Sequence, residues 1–254
     1  MKRLNGFAIF GVIAIIAIIA FISGATFLVV DSNNKATDYS KYDFNSIIAP
    51  DEHNGYIGDF VKGNADAPVL IFEYADYQCP GCASMNPRIN DLVEELDGKL
   101  AVVYRSDILP YHQNGTAAAS AAAAAGLQGY WKAYSDLLFS NQAEWEYASS
   151  TERTALFVQY FEQASNGDGD TEKFKQDLAS KEVSQKVSFD MGISKRLDVP
   201  ATPAFYVDGQ YIDWSNSTGS SITINGETFS WESPLSGSEF SELITNIVEA
   251  KLSK

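Results

Sequence analysis

The 254-residue sequence predicts an α/β domain with an α-helical insertion, preceded by an N-terminal transmembrane helix. Three observations carry that reading. An apolar run, Val69 to Tyr74, leads through a short turn into helical spacing, and after Gly98 a second apolar run follows, Leu100 to Tyr104. Strand, helix and strand in that order make a βαβ unit with two parallel strands. Residues from about 110 to 197 are helical in pattern, and β character returns after Pro203 before a last amphipathic segment. Ahead of everything, Leu4 to Val30 carries no charged residue.

At about 1.5 Å per residue that first stretch, taken as 6–30, is long enough for a hydrocarbon layer of roughly 30 Å. Lys2 and Arg3 precede it and Asp31 follows, so the positive-inside rule leaves residues 1–5 as a cytoplasmic tail and places the rest outside. Ser23-Gly24-Ala25 resembles a processing site, which keeps a cleaved signal peptide as the alternative. The apolar run exceeds the roughly 7–15 residues of a signal-peptide core, which favours an uncleaved signal-anchor. Residues 31–52 are polar and mixed and read as a tether to a domain over 53–254.

Within the domain, Tyr56 to Phe60 is expected as a first edge strand, and the turn Gly63 to Pro68 leads into Val69 to Tyr74. Ile89, Leu92, Val93 and Leu96 are spaced for a helix that ends near Gly98. Alanine dominates Thr116 to Leu127, giving a helix that neighbours can approach closely. Helices are also expected over Trp131 to Phe139, Ser150 to Ala164, Thr171 to Leu178 and Val183 to Leu197. Asn166 to Asp170 alternates oxygen-bearing residues like a calcium loop, but Thr171 stands where glycine is required, so an inter-helix turn is expected. Asp208-Gly209 joins Ala204 to Val207 with Gln210 to Asp213, and Asn225-Gly226 joins Ser221 to Ile224 with Glu227 to Trp231. Asn216-Ser217-Thr218 matches a glycosylation acceptor and is expected as a loop. Phe240, Leu243, Ile244, Ile247, Val248 and Leu252 stripe a final helix that starts near Ser238.

The chain's two cysteines are Cys79 and Cys82, in the run Cys79-Pro80-Gly81-Cys82. A disulfide between them closes a loop too short to stabilise the fold much, so a reactive pair fits better than a staple. With a helix starting near Cys79, the first sulfur sits at the positive end of the helix and the second follows one turn later. Zinc needs four ligands, and the only histidines, His53 and His112, are far away in sequence, so no metal is expected. A net charge of −15 argues against nucleic acid or anionic lipid headgroups as partners.

Three separated pieces resemble the DsbA type of thioredoxin-fold protein: Ala67 to Tyr74 before the cysteines, Gln128-Gly129-Tyr130-Trp131 in the helical region, and Val199 to Gly209 after it. Together they span roughly Gly63 to Ile212 in the family's order. The resemblance implies a thioredoxin-like fold with a helical insertion and a cis-proline loop at Thr202-Pro203 facing Cys79, Pro80, Gly81 and Cys82. It places Glu73 at the family's buried acidic position, as proton acceptor for Cys82, the alternative being an exposed strand-end carboxylate. Asp76 is expected in the turn with no catalytic role, and Gly81 departs from the family by standing where a thiolate-stabilising histidine is found.

These readings lead to a membrane-anchored, extracytoplasmic thiol–disulfide oxidoreductase without cofactor, oxidising client protein thiols through a Cys79–Cys82 disulfide. The resemblance further implies a membrane redox partner for reoxidation. A reductase or isomerase using the same residues is the alternative, followed by a redox-inactive, chaperone-like binding protein.

Overall fold

The computed structural model describes residues 37–215, 219–232 and 234–253. The expected tail, transmembrane segment and signal-peptide site, and the Asn216-Ser217-Thr218 acceptor, lie outside the described residues. Among the described residues no helix is long and apolar enough to cross a membrane.

Five strands form the central sheet: β1 (Phe60–Gly63), β2 (Val69–Ala75), β3 (Leu100–Ser106), β4 (Ala204–Val207) and β5 (Gln210–Ile212), in the order β1-β3-β2-β4-β5. β2 and β3 are parallel, and helix α1 (Pro80–Glu95) makes the crossover between them. β1 runs antiparallel to β3, β4 antiparallel to β2, and β5 antiparallel to β4. The sheet therefore keeps the expected βαβ half and closes it with a hairpin.

Alternation decides what each face of the sheet meets, because successive strand residues point to opposite sides. Val69 and Ile71 of β2, with Leu100 and Val102 of β3, pack with Met85, Ile89 and Leu92 of α1 and with Phe240, Ile244 and Ile247 of the last helix, α8 (Gly237–Leu252). Phe72, Tyr74 and Val103 face the other way, against Phe189 and Ile193 of α7 (Lys181–Leu197). In the chain, between β3 and α7, lies the insertion: α2 (Gly115–Gly126), α3 (Trp131–Ser140), the short α4 (Gln142–Trp145), α5 (Ser150–Ala164) and α6 (Thr171–Asp177). The alanines of α2 are buried beside Trp131, Tyr134, Phe157 and Phe161. Their small side chains let the neighbouring helices come close. Asn166 and Gly167 turn the chain with positive φ, and Asp170 caps α6 through Lys173 N at 2.9 Å, so the acidic run is an inter-helix turn.

Two expectations need correction. The edge strand does not cover Tyr56 to Phe60: Tyr56 has φ +58 and sits in a turn closed by Tyr56 N to Asp51 O at 2.7 Å, and β1 begins only at Phe60. Nor do the described residues of the tether behave as one, since the compact unit begins at Asp38. Arg105, fully buried, donates to the carbonyls of Phe44 at 2.8 Å and Ser46 at 3.0 Å while pairing with Asp59 at 2.7 Å. Tyr39 stacks on Phe189 and Ile48 is buried. A single buried guanidinium and a few aromatics thus strap a polar segment to the domain. Composition alone gave no sign of it.

Beyond β5 the chain adds a two-stranded sheet, β6 (Ser220–Ile224) with β7 (Glu227–Trp231), which places Ile222, Ile224 and Trp231 against the α8 side of the core.

Candidate active site

β2 ends at Ala75, and the next residues turn the chain into α1. Asp76 shapes that turn: its carboxylate accepts from Gln78 N at 2.8 Å and its carbonyl from Cys79 N at 3.0 Å. The same carboxylate holds the loop after β3 through Leu109 N at 2.9 Å and His112 Nδ1 at 2.7 Å. Asp76 is therefore a buried structural hub, as is Gln78, which bonds Asn114 N at 2.7 Å and Glu146 O at 2.8 Å. Cys79 is the N-cap of α1 and Pro80 its first residue, where a missing N–H costs nothing.

Both cysteines are free thiols and both are buried, Cys79 at 7 % exposure and Cys82 at 0 %. Their acidities diverge. Cys79 is lowered to about 5, first by the hydrogen bond from the Cys82 thiol and then, against the opposing effect of burial, by the Thr202 hydroxyl and the backbone N–H groups of Cys82 and Gly81. Cys82 is pushed well above its ordinary value, chiefly by burial and then by donating to Cys79. One sulfur is poised as a thiolate and the other holds its proton.

The peptide bond Thr202-Pro203 is cis, and Cys79 Sγ lies 3.4 Å from Thr202 O. The Thr202 hydroxyl is buried with no hydrogen bond to any other group among the described residues, and the Cys79 sulfur is the neighbour it serves. Gly81 also meets this loop: a Cβ there would stand 3.3 Å from Pro203 Cδ and 3.6 Å from Cys79 Sγ. The missing side chain at 81 lets the proline loop approach the thiol closely. On the far side, Trp214 Nε1 donates to Pro203 O at 3.0 Å.

Glu73 is buried on the α1 face of β2 at 2 % exposure, and burial raises it to about 7 while the Lys62 charge lowers it in part. The structure thus brings Cys79, Cys82, Pro80, Gly81, Thr202 and Pro203 together, with Glu73 behind Cys82 and electrostatically coupled to it. Sequence reasoning missed Lys62, Asn86, Asn90, Asp136 and Trp214. Only the spacing Cys82, Asn86, Asn90, four apart on one helix, was a readable signal.

A family model described as thioredoxin matches residues 56–245. Among curated relatives, the Na(+)/H(+) antiporter NhaA 3 of Salinispora tropica is 31% identical over 156 residues, 60% of this chain and 22% of that protein. The NhaA antiporter of Herminiimonas arsenicoxydans is 32% identical over 152 residues, with the same shares. The chain thus spans about a fifth of the length of these relatives. Among solved structures, oxidised BdbD from Bacillus subtilis matches with a TM-score of 0.57 at 20% identity, covering 83% of this chain and 100% of that one. Alpha-DsbA1 from Wolbachia pipientis matches with a TM-score of 0.56 at 22% identity, covering 77% and 93%.

Proposed function

This chain belongs to the thioredoxin family, and from that premise we propose that it is a thiol–disulfide oxidoreductase acting on client proteins through Cys79 and Cys82. The observation that carries the reading is the divergence of the two sulfurs, a low-pKa Cys79 at a helix start and a protonated, fully buried Cys82 one turn on. A client thiolate attacks the Cys79 sulfur of the disulfide, and Cys82 leaves and takes a proton. A second client thiolate then attacks the client sulfur of the mixed disulfide, Cys79 leaves as thiolate, and the client gains a disulfide as the chain becomes a dithiol. Cys79 is a good leaving group in that last step, because a low-pKa thiolate departs easily. That supports the oxidising direction.

In this reading Thr202 and Pro203 receive the client beside Cys79, Pro80 and Gly81 shape the turn, and Glu73 exchanges the Cys82 proton. The segment 6–30 anchors the chain, with the domain extracytoplasmic, and a membrane redox partner reoxidises the dithiol. The antiport named for the curated relatives is not carried over, since the shared 156 residues are 22% of the Salinispora protein. Trapping tests the chemistry: Cys82→Ala incubated with reduced, unfolded client and oxidised glutathione should accumulate adducts on Cys79. Adducts found only on Cys82 in Cys79→Ser would reverse the roles. Protease added to intact spheroplasts should remove the domain; a protected domain contradicts the topology.

A further inference from the structure

Beneath the helix that carries the thiols lies a second set of polar side chains. Cys82, Asn86 and Asn90 share one stripe of α1, being four residues apart. Lys62 of β1 pairs with Val102, and Glu73 of β2 with Tyr104, so both side chains leave the sheet on the same face. Lys62 Nζ donates to Asn86 Oδ1 and, at 3.0 Å, to Asn90 Oδ1, and it pairs with Asp136 Oδ1 of α3 at 3.5 Å. Asp136 Oδ1 in turn accepts from Asn86 Nδ2 at 3.0 Å and Asn90 Nδ2 at 2.9 Å. Each amide therefore binds the cation with its oxygen and the anion with its nitrogen.

That clamp settles a competition. A buried ammonium is costly without a carboxylate, and two carboxylates are in reach of Lys62's field, Glu73 and Asp136. Among the described residues the ion pair of Lys62 is with Asp136 and not with Glu73. The Lys62 side chain is 1% exposed and Asp136 30%, and Asn86, Asn90 and Asp136 line a cavity of about 520 Å³, so the clamp faces water at the Asp136 end.

We propose that Asn86, Asn90 and Asp136 are positioning residues for the thiol chemistry, holding the Lys62 ammonium on Asp136 so that the Glu73 carboxyl stays available to exchange a proton with Cys82. The inference rests on the oxidoreductase reading and deepens it. When Cys82 resolves a mixed disulfide, the S–H proton passes to a Glu73 oxygen and the freed electron pair attacks the Cys79 sulfur. The Cys79–Cys82 bond forms, the bond from Cys79 to the client sulfur breaks, and the client leaves as thiolate. In the reverse direction protonated Glu73 returns the proton to Cys82 as it leaves. The ionisable groups facing Glu73 are Lys62 from β1, Tyr104 from β3, Tyr77 ahead of α1, and Cys82 from α1, with Asp136 and Lys132 of α3 acting on Lys62 behind them. An opposite charge that closes to about 4–6 Å lowers a carboxyl by about one to three units, so losing the clamp has a defined sign.

The test is the pH profile, from 5 to 9, of Cys79–Cys82 disulfide formation when the full reduced chain meets a glutathionylated peptide. Wild type should show an inflection that Glu73→Gln abolishes. Asp136→Asn should move that inflection down by about one unit as Lys62 turns to Glu73, Lys62→Met should move it up, and Asp136→Glu should restore it. An unmoved inflection in Asp136→Asn, with Glu73→Gln still abolishing it, overturns the clamp proposal. An unchanged profile in Glu73→Gln overturns instead the assignment of Glu73 as the Cys82 base. Should Asp136→Asn fail to fold, Asn90→Ala, which removes one arm of the clamp, must shift the inflection down, and a fixed inflection there also overturns the proposal.

Discussion

Replacing Cys82 with alanine should raise the Cys79 pKa from about 5, because the largest contribution to its lowering is the hydrogen bond from the Cys82 thiol. A hydrogen bond to a charged group is worth about 1.5–3 kcal/mol, and one pKa unit is about 1.36 kcal/mol, so the expected rise is about one to two units. The amides of Gly81 and Cys82 and the Thr202 hydroxyl remain, which keeps the variant below an ordinary thiol near 8.5. At pH 6 the thiolate fraction should fall from about nine-tenths to between about a half and a tenth. The rate of iodoacetamide alkylation from pH 3 to 9 reads that fraction directly, since in Cys82→Ala the only thiol is Cys79 and in wild type Cys82 is buried and protonated. A midpoint still near 5 in the variant would show that the helix-start amides and Thr202 lower Cys79 without help from the Cys82 thiol. A midpoint at 8.5 or above would show that the amides and Thr202 contribute nothing.

Three further outcomes follow from the same structure. Glu73 holds its proton more tightly folded than unfolded, so its contribution to stability is full below about 4.5 and lost as pH rises through about 7; urea titrations should show Glu73→Gln gaining on wild type across that window by up to about 3 kcal/mol, and a constant gap would refute it. Cys79 is the opposite case, a depressed acid whose contribution is full above about 8.5 and lost as pH falls through about 5, so the reduced chain's advantage over the oxidised one in urea should shrink on acidification; an advantage that grows would contradict the thiolate. Arg105→Met should cost about 3–5 kcal/mol by leaving Asp59 with Lys186 as its one remaining cation among the described residues and should open residues 38–52 to protease, and a resistant segment would refute the strap.

The sequence made the redox turn legible because its chemistry is local: Cys79, Pro80 and Cys82 are a helix start written in four residues. The strands β2 and β3 and most helix boundaries were readable for a similar reason, as period and capping depend on neighbours along the chain. What was not readable depends on distant partners. Lys62 lies in a short strand whose pattern gives no hint that its ammonium is buried, and its partners are on α1 and α3. Asp76 is an ordinary turn residue until Leu109 and His112 are brought to it by the loop after β3. Residues 38–52 are polar enough for a linker, and what holds them down comes from far along the chain, Arg105 about sixty positions later and Phe189 beyond it. Gly81 reads as a lost histidine in sequence and as clearance for Pro203 in space.

Equilibrating the chain with glutathione buffers and trapping Cys79 and Cys82 gives its reduction potential, the quantity that the stabilised Cys79 thiolate should control. The account expects a single two-electron transition, more oxidising than thioredoxin's value of about −270 mV and short of DsbA's roughly −120 mV, because the helix start and Thr202 favour the dithiol while Gly81 offers no imidazole. A potential at or below about −270 mV would contradict the oxidising direction, and the absence of a reversible dithiol–disulfide transition would contradict the chemistry itself.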